Sequence, residues 1–249
     1  MSVGVIIQAR CASTRLPNKI LKELPVGSGI TVLEQVIRRV RRAKGIKKIV
    51  VATTTNKLDD QIVALAKKIG VDVFRGSEDD VLERYYLAAK HYKLSVVVRV
   101  TSDCPCIDPQ VVDYVMDQFK KSGADYVSNA IERTFVHATD VEIFKFSALQ
   151  KAAAQATTKP EREHVGVYLH THPQIFKILN VSAPKKWQGE DIRLTLDTLE
   201  DYKLLSKVYD ALYPANPYFL IEDVVALFKK KPELKMLNSH VVQKNIFAS

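Results

Sequence analysis

A cationic loop follows the first apolar run of the chain. Val3–Ala9 has the length and composition of a strand, and the residues after it include Arg10, Arg15 and Lys19, two hydroxyl side chains and no glycine. Loops that bind phosphate through backbone N–H groups depend on glycines, so a site here would use side-chain cations instead. Arginine offers a planar fork and lysine a compact charge, which together suit a triphosphate. A basic surface loop without a ligand is the alternative.

Two aspartates lie where other strands are expected to end. Asp103 follows the apolar run Val96–Thr101, and Asp197 ends the segment Ile192–Asp197. In open parallel sheets, ligands bind at the edge where the carboxyl ends of the strands meet. Mg²⁺ is held by one or two carboxylates together with phosphate oxygens. These aspartates and the cationic loop therefore predict a metal–triphosphate site, with a helix N-cap as the alternative interpretation of Asp197.

The elements that must position these residues alternate regularly in the first half of the chain. β-Branched apolar runs of strand length are separated by stretches with helical periodicity, which is typical of βαβ units on a parallel sheet. The predicted strands are Val3–Ala9, Ile49–Thr53 and Val96–Thr101, and the predicted helices are Thr31–Ala43, Leu58–Ile69, Asp79–His91 and Pro109–Lys121. Gly70 suits the end of the second helix, and Asp108 with Pro109 suits the start of the fourth.

The second half is less regular. Further strands are predicted at Ala124–Ser128, Val141–Phe146, Ile175–Val181 and Ile192–Asp197, and helices at Pro160–Leu169, Leu199–Tyr213 and Phe219–Lys229. No linker or repeat interrupts the chain, so we expect one α/β domain over residues 1–249. Its predicted parts are a nucleotide-binding half (1–123), an acceptor and dimer insertion (124–190) and a closing strand with C-terminal helices (191–249).

The bulk composition narrows the class of protein. The net charge of +9 suits either a polyanionic small substrate or RNA, but the chain lacks the aromatic–basic alternation of common RNA-binding modules. No apolar run reaches the ~20 residues of a membrane span, and no basic residue precedes the short apolar start as a signal peptide would require. Three cysteines do not suggest a disulfide scaffold. We therefore expect a cytoplasmic protein without a nucleic-acid or membrane partner.

The cysteines offer a second metal hypothesis. Cys104 and Cys106 flank Pro105 at the predicted ligand edge, and Cys11 lies in the cationic loop. A structural zinc site normally has four ligands, and the Cys-x-Cys spacing is unusual for one. A thiolate site is therefore the weaker hypothesis.

Several segments together resemble a known family. Gln8–Lys19 resembles the signature loop of the sugar-acid cytidylyltransferases, the enzymes that make CMP-Kdo and CMP-sialic acids. Arg99–Pro109 and Leu194–Tyr202 are similar to the family's second and third motifs, in the same order. The likeness spans residues 3–210 and is greatest to the spore coat polysaccharide protein F branch. Further matching segments are Phe74–Tyr86, Asp140–Phe144 and Pro160–Val165.

The resemblance implies a Rossmann-like nucleotide-diphospho-sugar transferase fold, a homodimer and a set of site residues. It implies catalytic roles for Arg15, Lys19 and Asp103, and Mg²⁺ at Asp103 and Asp197. The implied nucleotide-binding residues are Gln8, Ala9, Arg10, Ser13, Thr14, Thr53, Thr54, Ser77 and Arg99. The implied acceptor-binding residues are Asp140, Glu142, Arg162, Glu163 and His164.

The implied reaction is transfer of CMP from CTP to a sugar or sugar acid for surface glycan synthesis, with release of pyrophosphate. His137-Ala138-Thr139 replaces the glycine-containing turn usual in the family before Asp140, which leaves the acceptor open. Alternatives are a related nucleotidyltransferase with another nucleotide or a non-sugar acceptor such as a phosphonate, a non-catalytic nucleotide- or sugar-binding protein, and a basic RNA-binding protein.

Overall fold

The computed structural model describes residues 1–243, and the last six residues of the predicted 191–249 segment lie outside this range. One seven-stranded sheet has the order β3-β2-β1-β4-β6-β5-β7. Its strands are β1 Val3–Gln8, β2 Lys48–Thr54, β3 Asp72–Gly76, β4 Val96–Thr101, β5 Tyr126–Ser128, β6 Glu142–Lys145 and β7 Ile178–Asn180. Only β6 runs antiparallel to its neighbours, β4 and β5, among the strands described. The fold is therefore Rossmann-like α/β, as expected.

Helices cover both faces of the sheet. They are α1 Val32–Val40, α2 Asp60–Ile69, α3 Val81–His91, α4 Pro109–Ser122, α5 Phe146–Gln155, α6 Lys159–Glu163, α7 Val167–Thr171, α8 Leu199–Leu212 and α9 Ile221–Lys230. Because side chains alternate along a strand, Val5 and Ile7 of β1 enter the core beneath α1, α4, α8 and α9, whereas Ile6 enters the core beneath α3 and α5. The central strands are buried on both sides, which explains their nearly continuous apolar sequences.

The predicted helix boundaries are confirmed at several caps. Asp108 caps α4 by accepting a hydrogen bond from the Gln110 N–H at 2.7 Å, with Pro109 in the first turn. Its other oxygen accepts the Ile221 N–H at 2.7 Å, which ties α9 to α4. Gly70 ends α2 in the left-handed conformation, with φ of 72°. These capping residues define the helix ends, and their contacts are all within the protein.

The prediction of a strand at Ile192–Asp197 is wrong. The alternate apolar side chains are buried as they would be in a strand, but only Arg193 forms a bridge, parallel to His137. The backbone of the segment bonds instead to two loops, since the Leu194 N–H donates to His137 O and the Leu196 N–H donates to Asp103 O, both at 2.9 Å. Asp197 therefore lies in a buried extended segment, not at a strand end.

Other boundaries also differ from the predictions. The predicted helix Pro160–Leu169 is divided into α6 and α7, because His164 is extended between them (φ −115°, ψ 100°). Strand β3 was not predicted, since this edge strand is half-buried throughout and lacks a continuous apolar run. Helix α5 was not predicted either, and it begins directly where the predicted strand Val141–Phe146 ends. No helix in residues 1–243 is long and apolar enough to cross a membrane.

Candidate active site

A cleft of about 710 Å³ opens at the carboxyl ends of β1 and β4. Gln8, the last residue of β1, pairs in register with Thr101, the last residue of β4. The cationic loop after β1 and the Ser102–Pro105 turn after β4 therefore leave the sheet at the same level. This register brings two of the sequence motifs to one edge, as the parallel sheet predicted.

A cluster of cations and carboxylates occupies the floor of the cleft. Lys19 Nζ donates to Asp103 Oδ2 at 2.7 Å and to Asp197 Oδ1 at 2.8 Å. Arg15 Nη2 lies 3.0 Å from the same Asp197 oxygen. Arg193 Nη2 donates to the second Asp197 oxygen at 2.6 Å. One carboxylate thus contacts three cations, and the loop, the β4 turn and the segment before α8 meet at this point.

The charges within the cluster keep Lys19 and Asp103 ionised. Burial opposes the charge of Lys19, but Asp103 and Asp197 outweigh it and raise the pKa of the ammonium above its usual value. Burial likewise disfavours the Asp103 carboxylate, yet the charge and hydrogen bond of Lys19 lower the pKa of Asp103 to about 2. Both groups are therefore charged at neutral pH.

A second group of ion pairs lies toward β5 and β6. Arg99 donates to Gln8 Oε1 at 3.0 Å and to the Glu142 carboxylate, which also accepts a hydrogen bond from the Tyr126 hydroxyl. Glu142 is only 8% exposed, so its charge is held by these donors. These side chains connect β1 and β4 to the antiparallel strand β6.

The cleft lining also includes an ion-paired carboxylate and three histidines. Arg133 forms a bidentate pair with Asp140, at 2.5 and 2.8 Å. His137, His164 and His170 also line the cleft. Burial lowers the pKa of each of the three histidines, so their rings are neutral at pH 7. The three histidines therefore add polar, uncharged groups to the cleft lining.

Most of the site residues proposed from the sequence share the cleft. Those that line it are Gln8, Ala9, Arg10, Ser13, Thr14, Arg15, Lys19, Arg99, Asp103, Asp140, Glu142, Glu163, His164 and Asp197. Their individual roles stay predictions, but their positions are compatible with one extended ligand that has a charged end and a hydroxylated end.

Four proposed residues are not brought to the cleft. The Thr53 and Thr54 hydroxyls donate to the buried carboxylate of Asp59. Ser77 accepts the Asp80 N–H at the start of α3. Arg162 forms an ion pair with Asp80 and donates to Ala153 O at 2.6 Å, so it ties α6 to α3 and α5. Each of these polar groups has an internal partner.

The thiolate hypothesis is not supported. Cys11, Cys104 and Cys106 are all free and buried. Burial raises the pKa of Cys11 and of Cys106 to about 12, and that of Cys104 well above its usual value, so all three are neutral thiols. Within residues 1–243, no group of three or more His, Cys, Asp or Glu side chains could hold a metal ion.

Sequence reasoning predicts no role for Arg193, Arg84 or His137. Arg193 directly precedes the third motif, and its hydrogen bonds to Asp197 and Asp201 follow only from the tertiary structure. Arg84 lies in the Phe74–Tyr86 segment and lines the cleft although it is only 2% exposed. The signal that could have identified Arg193 is a cation within the otherwise apolar or hydroxylated segment that leads to Asp197.

Comparisons with known proteins relate most of the chain to one family. The family model described as cytidylyltransferase matches residues 4–238. The spore coat polysaccharide biosynthesis protein SpsF of Bacillus subtilis is 32% identical, with 92% of this chain and 94% of that protein covered. A 3-deoxy-manno-octulosonate cytidylyltransferase of Anaeromyxobacter dehalogenans (strain 2CP-C) is 28% identical, with 84% and 86% covered. The solved structure of a cytidylyltransferase from Leptospira borgpetersenii is 35% identical, covers 98% of this chain and 100% of its own, and superposes with a TM-score of 0.88.

Proposed function

The chain belongs to the cytidylyltransferase family, and we propose that it transfers CMP from CTP to a sugar acid and releases pyrophosphate. The observation that carries this proposal is the position of Lys19 between Asp103 and Asp197, with Arg15 beside them, at the ligand edge of the sheet. The names of the similar proteins support a sugar acid as acceptor and polysaccharide biosynthesis as the purpose.

The cationic loop is proposed to bind the triphosphate. Arg15 and Lys19 supply two positive charges within 3.0 Å of one Asp197 oxygen. Their side chains are only 29% and 13% exposed, so a bound phosphate would be screened little by solvent. We assign Lys19 to the α-phosphate and Arg15 to the leaving pyrophosphate.

The donor set at Asp103 and Asp197 fits Mg²⁺. Both carboxylates face the same ammonium group, so they converge on one position, and a hard cation prefers such oxygen ligands. In the described part of the chain, no third acidic or imidazole side chain joins these two carboxylates. Mg²⁺ commonly takes its other ligands from phosphate and water. When bound, Mg²⁺ would neutralise phosphate charge and favour departure of pyrophosphate.

The chemical step is a substitution at the α-phosphorus. An acceptor oxygen forms a bond to that phosphorus while the bond to the bridging oxygen of the β-phosphate breaks, and pyrophosphate leaves with the bonding electrons. The proton of the acceptor hydroxyl passes to solvent. Because such reactions depend mainly on positioning and on charge neutralisation, Lys19 and Arg15 act by holding the phosphates and opposing their negative charge.

The acceptor is proposed to bind between β6 and the histidines. The carboxylates of Asp140 and Glu142 are strong acceptors for sugar hydroxyls, and the neutral ring of His164 can donate or accept a hydrogen bond. Glu163 adds a further carboxylate to the lining of the cleft.

We also propose a cytoplasmic location and a homodimer. The buried, free thiols suit a reducing compartment. The homodimer is implied by the resemblance of the sequence, and light scattering coupled to gel filtration would measure it directly.

The proposed reaction is tested by pyrophosphate release from CTP, ATP, GTP and UTP with Mg²⁺ and a panel of sugar acids, neutral sugars and phosphonates. We expect turnover only with CTP and a sugar acid, and loss of turnover in Asp103→Asn. The exposed Asp117→Asn variant on α4 serves as the matched control. Turnover with a different nucleotide or with a phosphonate would replace the proposed substrates, and absence of nucleotide binding would remove the enzymatic proposal altogether.

A further inference from the structure

Asp59 is a buried carboxylate that does not line the cleft and has no part in the reaction proposed above. It ends the 3-10 turn Lys57–Asp59 after β2 and is only 2% exposed. Its Oδ2 atom accepts hydrogen bonds from Thr53 Oγ1 at 3.0 Å, Thr54 Oγ1 at 2.5 Å and the Thr54 N–H at 3.2 Å. Its Oδ1 atom accepts the Cys11 N–H at 2.7 Å. A single side chain thus joins the end of β2 to the loop after β1.

This carboxylate is ionised despite its burial. Burial disfavours its charge, but the bonds from Thr54, from the Cys11 N–H and from Thr53 outweigh it and lower the pKa of Asp59. A buried charge is tolerated only with such a set of donors. The bond to the Cys11 N–H is therefore charge-assisted, which makes it one of the stronger contacts that hold the loop.

Cys11 is the residue on which the cationic loop closes. Its carbonyl oxygen accepts the Ser13 N–H at 2.9 Å and the Asn18 N–H at 3.3 Å. Asn18 is in the left-handed conformation, with φ of 54°, and directly precedes Lys19. The two ends of the loop therefore meet at the peptide groups of Cys11, and Arg15 lies within the closed part.

We propose that Asp59 is a positioning residue for triphosphate binding, because it fixes Cys11 and through Cys11 the placement of Arg15 and Lys19. The inference rests on the proposed function of the loop. The same carboxylate has two effects: support of the β2–α2 connection, which any buried cap provides, and preorganisation of the loop cations, which affects ligands with several phosphates more than ligands with one.

The test compares the affinities of CTP and CMP by calorimetry in wild type, Asp59→Ala and Asp59→Asn. We expect Asp59→Ala to lower the ratio of CTP affinity to CMP affinity about tenfold or more, the effect of losing a charge-assisted hydrogen bond. Asp59→Asn retains an oxygen for the Cys11 N–H, so its ratio should be intermediate. It also keeps the proposal testable if the alanine variant does not fold.

The matched control is Asp108→Ala, which removes another fully buried carboxylate that caps backbone N–H groups away from the loop. It should lower the melting temperature without changing the affinity ratio. If Asp59→Ala lowers the melting temperature but retains the wild-type ratio, Asp59 only supports the fold and the proposal is overturned.

Binding of inorganic triphosphate and of orthophosphate is measured on the same variants. If wild type binds triphosphate but not CTP, the proposed function fails while the positioning role is still tested by the triphosphate-to-orthophosphate ratio. An unchanged ratio in both Asp59 variants rejects the positioning role even when CTP turnover is confirmed.

Discussion

Lys19 and Asp103 are 84 positions apart in the chain, and their side chains meet at 2.7 Å. The same ammonium group lies 2.8 Å from Asp197, so one lysine separates two carboxylates that would otherwise repel each other. In the absence of ligand, Lys19 therefore neutralises the charge that a divalent cation would neutralise in a complex. The lysine and the cation are expected to compete for the two aspartates, and this competition is measurable.

Replacing Lys19 with methionine should make the fold more responsive to Mg²⁺. Without the ammonium, Asp103 and Asp197 face each other with less counter-charge, so we expect a loss of about 1–3 kcal/mol in the free energy of unfolding. Millimolar Mg²⁺ should restore more stability to this variant than it adds to wild type. Thermal unfolding with and without Mg²⁺ measures both effects. The exposed Lys120→Met variant is the control, and an equal response to Mg²⁺ in all three proteins would argue against a cation site at these aspartates.

Replacing Arg193 with lysine should weaken the placement of Asp197. The guanidinium reaches Asp197 Oδ2 at 2.6 Å and Asp201 Oδ1 at 3.3 Å, and a single ammonium cannot reproduce this fork. We expect a loss of about 1–3 kcal/mol in urea unfolding and a higher Mg²⁺ concentration for half-maximal turnover.

Arg42→Lys, which alters an arginine that stacks on Tyr218 at the surface, is the control for the Arg193 experiment. If Arg193→Lys loses stability but retains the wild-type Mg²⁺ requirement, Arg193 serves only to tie the segment before α8 to that helix.

The position of Asp103 could be predicted from the sequence, whereas that of Asp197 could be predicted only in part. Asp103 follows a β-branched run whose four valines are buried, and such runs are strands in a parallel sheet with little ambiguity. Asp197 follows an equally apolar segment, but a strand also requires a partner along its length, and the partners of this segment are the loops at His137 and Asp103. Local periodicity shows burial and does not show pairing.

The same limit explains the residues that the structure leaves outside the cleft. Thr53 and Thr54 end β2, and Arg162 lies within a segment that resembles the family. All three carry groups that could bind a ligand, but Asp59 and Asp80 satisfy them internally. Asp59 and Asp80 lie at the starts of α2 and α3. The spacing of the motifs does not indicate that they pair with these side chains. A polar side chain near a motif or at a strand end therefore indicates a site only where no neighbouring helix cap satisfies it.

Acidification should destabilise the protein through its cleft histidines. Burial lowers the folded-state pKa of His137, His164 and His170 below the usual 6.5. Below that pH the unfolded chain binds more protons than the folded one, so stability falls as the pH decreases. Melting temperatures between pH 7.5 and 5.5 should decrease, and less steeply in His137→Gln. The exposed His240→Gln variant should follow wild type. A His137→Gln profile parallel to that of wild type would mean that this ring does not contribute.

Replacing Gly166 with alanine should damage the proposed acceptor end of the cleft and spare the proposed nucleotide end. A Cβ atom at this position would lie 2.6 Å from the Tyr126 hydroxyl and would also overlap the Glu142 carboxylate. We expect a loss of about 1–3 kcal/mol in the free energy of unfolding from overpacking. Because Glu142 must move, we also expect a several-fold higher KM for the acceptor with little change in the KM for CTP.

Gly45→Ala is the matched control, since its nearest neighbour is the Met116 side chain at 3.8 Å. Steady-state kinetics with each substrate varied in turn, together with urea unfolding, separates the two effects. Arg99 bonds to both Glu142 and Gln8, so a displacement of Glu142 could also reach Gln8. Equal increases in both KM values would therefore contradict a selective effect of Glu142 on the acceptor.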